Sequence, residues 1–269
     1  MRLLVSNDDG IQAPGLRILA TTLATEHEVH VIAPDRERSA TGHALTLHKP
    51  LRVEEERIPG CARALAVNGT PSDCIKLAWG ALLKDDLPDM VVSGINRGPN
   101  LGVDVIYSGT VSAAVEGTIL LDRPCIAVSL ASFSDLGYEK AAVFTRHLVS
   151  ILARRSLDEK VLLNVNVPAV EWDDINGVRV TRLGRRRYND IFERRVDPRG
   201  KTYYWLAGEA EELDEGADTD VRAIRDNCIS VTPIHYDLTH FDSLADLATW
   251  EIDLPTLRVP LPEGGRVDV

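Results

Sequence analysis

Several protein classes are disfavoured by what this sequence does without. Its 4 cysteines (Cys61, Cys74, Cys125 and Cys228) are widely spaced, and none sits in a Cys-x-x-Cys pair. Neither a disulfide framework nor a thiolate zinc site is built that way, so they read as structural thiols in a reducing cytoplasm. No apolar run reaches the roughly 18 residues that a membrane span needs. Met1-Arg2-Leu3-Leu4-Val5-Ser6 enters a strand at once, without a signal-peptide layout. The reading is a soluble, cytoplasmic protein with no membrane partner. Positive charge is also scarce: 30 Lys and Arg face 41 Asp and Glu, a net of −11. Such a chain repels a nucleic-acid backbone, so no nucleic-acid polymer is expected as a partner. A small phosphorylated substrate stays open, because a bound cation reverses the field locally.

What is present suits an α/β protein. Hydrophobic residues make up 44% and charged residues 26% of the 269, ample for a core and wrong for disorder. Apolar runs at Leu3–Ser6, Val29–Ala33, Met90–Ser93, Ile126–Val128 and Leu162–Val167 read as buried strands. Between them fall helical patterns after Pro14, from Pro71 to about Leu83, over Val111–Leu121 and over Tyr138–Ala153. Leu51–Val53 and Leu65–Val67 alternate like further strands. That alternation predicts a mostly parallel sheet with helices on both faces. After about residue 177 the pattern changes to short strands or hairpin arms at Val178–Thr181, Arg186–Tyr188 and Thr202–Leu206, around the turn signal Asp197-Pro198-Arg199-Gly200. An acidic stretch, Gly208–Asp220, leads to a strand at Ile229–Pro233, and the tail from Pro255 is expected to fray.

Three polar segments follow predicted parallel strands: Asn7-Asp8-Asp9-Gly10, Arg36–His43 and Ser93–Gly98. Open α/β sheets bind ligands at the carboxyl ends of their strands, so these segments can meet at one edge. Adjacent carboxylates repel unless a hard divalent cation lies between them. Asp8 and Asp9 are therefore candidate ligands, with Ser39 and Asn96 as neutral oxygens, and an oxygen-only set points to Mg2+ or Mn2+. Asp-Asp-Gly by itself is more often a tight turn, and it is the other strand-end polar segments that tip the reading to a metal site. Tyr107-Ser108-Gly109-Thr110-Val111 opens a helix, where free N–H groups and two hydroxyls would receive a phosphate; an ordinary N-cap reads the same way. Asn68–Asp73 is a turn into a helix, explained mainly by Pro71. His43 as a general acid and the basic run Arg182–Arg187 as a substrate contact are weaker than their readings as surface groups.

At these residues the chain resembles the SurE family of survival-protein nucleotidases. The resemblance rests on Val5–Ile11, Ala33–Gly42, Gly69–Cys74, Ser93–Asn100 and Tyr107–Ala114, five ordered motifs within the first 130 residues. It is good to Pro168 and weaker beyond, although Val231–Thr239 resembles the family's C-terminal signature. It implies a Rossmann-like catalytic core over residues 1–177. Residues 178–269 would be a hairpin and C-terminal extension, part of the same single domain and used in oligomerisation. The implied activity is a metal-dependent 5′-nucleotidase releasing phosphate from nucleoside 5′-monophosphates, with 3′-monophosphates and short polyphosphate as further substrates. One divalent ion per subunit would be held by Asp8, Asp9, Ser39 and Asn96, with Asn96, Asn100, Ser108, Gly109 and Thr110 lining the phosphate pocket. A homodimer or homotetramer is implied, with residues 180–206 as the projecting hairpin and 230–269 as an exchanged segment. Gly216–Asp220 and Cys228 depart from the family pattern, away from the metal residues.

Asp8 and Asp9 are the expected catalytic pair, and the nucleophile is either a metal-activated water or Asp8 itself. A magnesium-binding receiver domain is the rival from another class. It needs a third Asp after a middle strand, where this chain has Gly94-Ile95-Asn96. A haloacid-dehalogenase-type phosphatase needs Asp-x-Asp, and Asp8-Asp9-Gly10 lacks that spacing.

Overall fold

The structure is a computed structural model that describes residues 1–252 apart from 135, 136, 156, 159, 190, 209, 214, 215 and 251. The first stretch runs β1 (Arg2–Ser6), α1 (Pro14–Leu23), β2 (Glu28–Pro34), β3 (Val53–Glu56), β4 (Arg63–Val67), α2 (Pro71–Leu77) and β5 (Met90–Arg97). It continues with α3 (Gly109–Leu121), β6 (Ile126–Leu130), α4 (Tyr138–Leu152), β7 (Val161–Val167) and β8 (Val178–Val180). Then come β9 (Arg186–Tyr188), β10 (Ile191–Val196), β11 (Thr202–Ala207), β12 (Ala210–Glu212), α5 (Asp220–Arg225), β13 (Ile229–His235) and α6 (Asp242–Leu247).

One nine-stranded sheet orders these as β3-β4-β2-β1-β5-β6-β7-β13-β8. From β4 to β7 every neighbouring pair is parallel. β3 is antiparallel on one edge, and β13 runs antiparallel to β7 with β8 parallel beyond it. The central strands are apolar on both faces because helices cover both. Leu16, Leu19, Ala20 and Leu23 of α1 join Ala141, Ala142, Leu148 and Val149 of α4 over one face. Cys74, Ile75 and Ala78 join Val111, Ala113 and Ala114 of α3 over the other. α3 lacks an apolar stripe since it is buried nearly all round from Gly109 to Thr118.

Local chemistry sets the helix starts. Pro14 and Pro71 occupy first-turn positions, where the missing N–H costs nothing. At α2 the Thr70 side chain accepts from the Asp73 N–H while the Asp73 carboxylate accepts from the Thr70 N–H, a reciprocal cap. Ser108 caps α3 by accepting from the Val111 N–H at 3.1 Å. Two expectations need correction. The Leu51–Val53 strand lies further on, at Val53–Glu56, an exposed edge. β5 does not stop at Ser93 but runs to Arg97, through a cis Gly94–Ile95 peptide and a register shift against β6 between Ser93 and Asn96.

After residue 177, β8 and β13 belong to the same sheet as the core. β10 and β11 form a separate antiparallel hairpin closed at Asp197–Gly200, and β9 pairs with β12 at its base. The six-residue helix α5 follows Gly216–Asp220 and is capped by Thr219, whose side chain accepts from the Arg222 N–H at 3.2 Å. Residues 237–252 form a second unit with the exposed helix α6. The expected frayed tail from Pro255 lies outside the described residues.

Candidate functional site

The strand order fixes where a ligand site can form. From β1 the chain passes through α1, on one face, to β2; from β5 it passes through α3, on the other face, to β6. The carboxyl ends of the neighbouring strands β1 and β5 thus open a crevice at a topological switch point. Asp8 and Asp9 leave β1 there, and Asn96 and Arg97 close β5 opposite them.

The turn after β1 is built by Asn7 and Gly10. The Asn7 side chain accepts from the Gly10 N–H at 3.2 Å and donates to the Gly10 carbonyl at 3.0 Å. Gly10 has φ +97°, and a Cβ there would lie 2.9 Å from the Arg36 backbone, so any other residue is excluded twice over. This turn presents the two aspartates differently. Asp8 is 4% exposed, with its carboxylate at the start of α3, where the Thr110 hydroxyl and the Thr110 and Gly109 N–H groups stabilise it. Asp9 is half-buried and accepts from the Arg97 N–H at 3.0 Å, which binds the end of β1 to the end of β5.

Electrostatics make the pair a poor resting state without a cation. Burial pushes the Asp8 carboxyl above its ordinary value, and the Thr110 hydroxyl and nearby N–H groups pull it back only in part. Burial, then the charge of Asp8, pushes the Asp9 carboxyl up to about 6. Among the described residues no three His, Cys, Asp or Glu side chains converge as a metal cluster. Two carboxylates completed by neutral oxygens fit one hard divalent ion and not a thiolate or imidazole site.

The neutral candidates stand as follows. The Asn96 amide donates to the Gly98 carbonyl at 2.8 Å, which leaves its oxygen available as an acceptor. Ser39 is exposed, and its hydroxyl donates to Glu37 at 2.7 Å. Its neighbour Arg38 donates its backbone N–H to the Asp8 carbonyl at 2.7 Å, so the Ser39 loop starts on β1's own turn. Thr110's hydroxyl is spent on Asp8, and the Ser108 oxygen on its cap, which leaves the Ser108 proton free for a ligand. Asn100 is held by its own network. It is buried in an amide network, donating to Ser129 and Asn166 and accepting from Asn164 and Asn166.

Two clusters escaped the sequence. Glu116, 3% exposed in the middle of α3, meets His43 Nε2 at 2.7 Å and Lys76 Nζ at 2.7 Å. Burial raises the Glu116 carboxyl, but those two partners outweigh it and hold it below its ordinary value. Its signal was a single charge inside an otherwise apolar helix. In the second cluster Arg186 pairs with Asp104, and Tyr188 donates to Asp104 at 2.7 Å. The expected solvated face of Arg182–Arg187 is therefore anchored on the turn that leads into Ser108, and Arg182 is also paired with Asp218 at 2.8 Å.

A doubly wound, mostly parallel α/β sheet with two adjacent carboxylates at its switch point defines the class: an open α/β protein whose ligand crevice lies at the carboxyl ends of β1 and β5. The survival protein SurE family model matches residues 3–190, and the chain belongs to that family. It is 55% identical to the 5′-nucleotidase SurE of Cyanothece sp., over 96% of this chain and 98% of that one. Against the 5′-nucleotidase SurE of Moorella thermoacetica the identity is 52%, over 93% and 96%. A crystal structure of SurE protein from Aquifex aeolicus superposes with a TM-score of 0.80 at 38% identity, over 92% of this chain and 98% of that chain.

Proposed function

We infer that the chain is a 5′-nucleotidase, a phosphoric monoester hydrolase that releases phosphate from nucleoside monophosphates, and that its catalytic centre is the β1–β5 crevice. The reaction class is carried by family membership and by relatives of that name spanning nearly the whole chain. The observation that carries the site is the Asp8–Asp9 pair, half of it buried against the α3 start, at the one edge where the sheet topology opens a crevice. A receiver-domain reading has no support beside this, since β5 offers Asn96 where a third Asp is needed.

The residues divide the work. Asp8, Asp9, Ser39 and Asn96 are the oxygen ligands for one Mg2+ or Mn2+ ion per subunit. When bound, that ion supplies charge neutralisation for the phosphoryl oxygens and orients the group for in-line attack. Thr110 and the first N–H groups of α3 hold Asp8 in its rotamer, while the helix dipole favours negative charge at this end. Ser108 contributes its free proton to a phosphate oxygen. Asn100 supports the crevice floor through its amide network and does not need to touch phosphate. The family resemblance supports a homo-oligomeric assembly, and the widely spaced cysteines support a cytoplasmic location; no helix among the described residues is long and apolar enough to cross a membrane.

Phosphate release from nucleoside 5′-monophosphates, measured with Mg2+, Mn2+ and a chelator, tests the reading. Turnover that survives complete chelation, or that Asp9→Asn leaves intact, removes the crevice as the catalytic centre. Rapid-quench trapping of a phosphoenzyme separates attack by Asp8 from attack by water.

A further inference from the structure

The segment from Ser39 to His48 contains no helix or strand, yet it is strapped across α2 and α3 at several points. Its start is tied to β1 by the Arg38 N–H on the Asp8 carbonyl. Further along, the Gly42 N–H donates to the Tyr107 carbonyl at 3.0 Å. The Thr70 hydroxyl donates to the Ala44 carbonyl at 2.8 Å, and the Thr46 N–H donates to Asp73 at 2.9 Å. The chain must turn back on itself between the first and second ties, with Ala40 at φ +55° and Gly42 at φ +54°. Ala40 in the left-handed region is unfavourable for a residue with a Cβ, so the surrounding ties must hold that shape. Ser39 lies at this bend, and its hydroxyl meets only Glu37, two residues away. The Arg38 N–H on the Asp8 carbonyl holds the strap on one side of Ser39, and the ties further along hold it on the other.

From the exposed surface of the strap, His43 reaches down to Glu116, Nε2 to carboxylate, at 2.7 Å. Glu116 is buried in α3, seven positions beyond Gly109 and so on the same face two turns along. A buried carboxylate with two cationic or hydrogen-bonding partners is a firm anchor, because its charge has nowhere else to be satisfied. Its second partner, Lys76, comes from α2 and not from the strap. Glu116 therefore links the helix that holds Asp8 to the loop that carries Ser39.

We propose that Glu116, acting through His43, is a positioning residue that holds the Ser39 strap at the metal end of α3. The proposal rests on Ser39 being a metal ligand, as argued above. His43 acts through the strap backbone and needs no contact with substrate. Orienting groups one step behind the ligands commonly change metal affinity by about 10- to 100-fold.

The test uses the full chain and Mn2+ alone as probe, with free Mn2+ read by electron paramagnetic resonance, alongside kcat, KM and melting temperature. His43→Ala is expected to weaken Mn2+ binding about tenfold, with the metal-free melting temperature lowered no more than in Lys76→Met, which likewise leaves Glu116 one partner. His43→Gln restores a donor to Glu116 and recovers Mn2+ affinity. Lys76→Met removes the other partner of Glu116 without touching the strap and leaves Mn2+ affinity near wild type. Unchanged Mn2+ affinity in His43→Ala overturns the proposal. An equal loss in Lys76→Met overturns it as well, because the charge state of Glu116 and not the tether would then be responsible. Asp9→Asn in the same titration separates the two readings. If it binds Mn2+ normally the metal site itself is wrong; if it loses Mn2+ while His43→Ala does not, only the strap fails.

Discussion

Gly109→Ala is a sharp probe of the site because it adds one methyl group at its tightest point. Gly109 is the first residue of α3, and its backbone is helical, so the substitution brings no dihedral penalty. Elsewhere in an exposed helix it would stabilise by up to about 1 kcal/mol. Here the added Cβ would sit 2.8 Å from the Asp8 Cβ, 3.0 Å from its Oδ2 and 3.1 Å from the Pro71 Cγ. Ordinary carbon contacts are about 3.5–4.0 Å, so something must move by most of an ångström. α3 is packed on all sides, and Pro71 is fixed in the first turn of α2, which leaves the Asp8 side chain to give. Overpacking of this kind costs about 1–3 kcal/mol, within what a domain of ordinary stability survives. A displacement of about 1 Å at a reacting centre costs about a hundredfold in rate. The expected result is a folded protein with kcat/KM for a nucleoside 5′-monophosphate down about 100-fold and Mn2+ affinity clearly weakened. The assay is phosphate release with a Mn2+ titration and a thermal melt on the same sample. Wild-type turnover and Mn2+ affinity in a folded variant would refute the placement of Asp8 as a catalytic ligand.

Other perturbations follow from the same geometry. Asp8→Asn and Asp9→Asn should each lower turnover by at least a hundredfold, yet raise the metal-free melting temperature by removing a repelling, desolvated charge. The Asp9 carboxyl lies at about 6 in the folded chain against an ordinary 3.8. Its folded value is the raised one, so the stability it contributes is complete below about pH 4 and is lost as pH rises through about 6. The metal-free melting temperature should fall across that window by an amount worth at most about 3 kcal/mol; saturating Mn2+ or Asp9→Asn should flatten the profile, and a flat wild-type curve counts against a raised Asp9. Thr110→Val strips the hydroxyl from Asp8 and should cost about 1–3 kcal/mol in stability or rate; a neutral outcome means that the α3 N–H groups suffice to hold the carboxylate. Arg186→Met leaves Asp104 with only Tyr188 and should destabilise by about 3 kcal/mol, seen as a lower melting temperature and faster proteolysis near residues 102–106.

Which parts of this were legible in the sequence follows from where each residue's constraint is local. The buried parallel strands announced themselves as short apolar runs, since strands covered on both faces need apolar side chains at every position. α2 could be read from Thr70-Pro71-Ser72-Asp73 alone, because a reciprocal cap is complete within four residues. Asp8 and Asp9 stood out for the same reason: two adjacent like charges in a turn are a local anomaly. The sequence reading ends β5 at Ser93 because Gly94 and Gly98 resemble a turn, whereas the strand continues through Gly94 to Arg97 by a register shift that only the partner β6 determines. β3 was displaced because an exposed edge strand carries no alternation to detect. Asn100 enters as a phosphate residue only through the family resemblance, and its amide network was not legible because its partners Ser129, Asn164 and Asn166 are 29 to 66 positions away.

The same distinction separates the two kinds of ligand in the site. A carboxylate pair carries its own evidence, since leaving it without a cation costs energy wherever the rest of the chain lies. Ser39 and Asn96 carry none, because a serine or asparagine in a loop is satisfied by water and by neighbours such as Glu37 or Gly98. What makes them ligands is position, and position is supplied by contacts at a distance: Arg97 on Asp9 for the Asn96 turn, Arg38 on Asp8 for the Ser39 loop. A neutral ligand is therefore only as good as the tether that aims it. The Asn96 turn needs little, being the end of a central strand. The Ser39 loop is no strand end, and beyond the tie of Arg38 to Asp8 a buried glutamate seventy-odd residues away on α3 is the group placed to steady it.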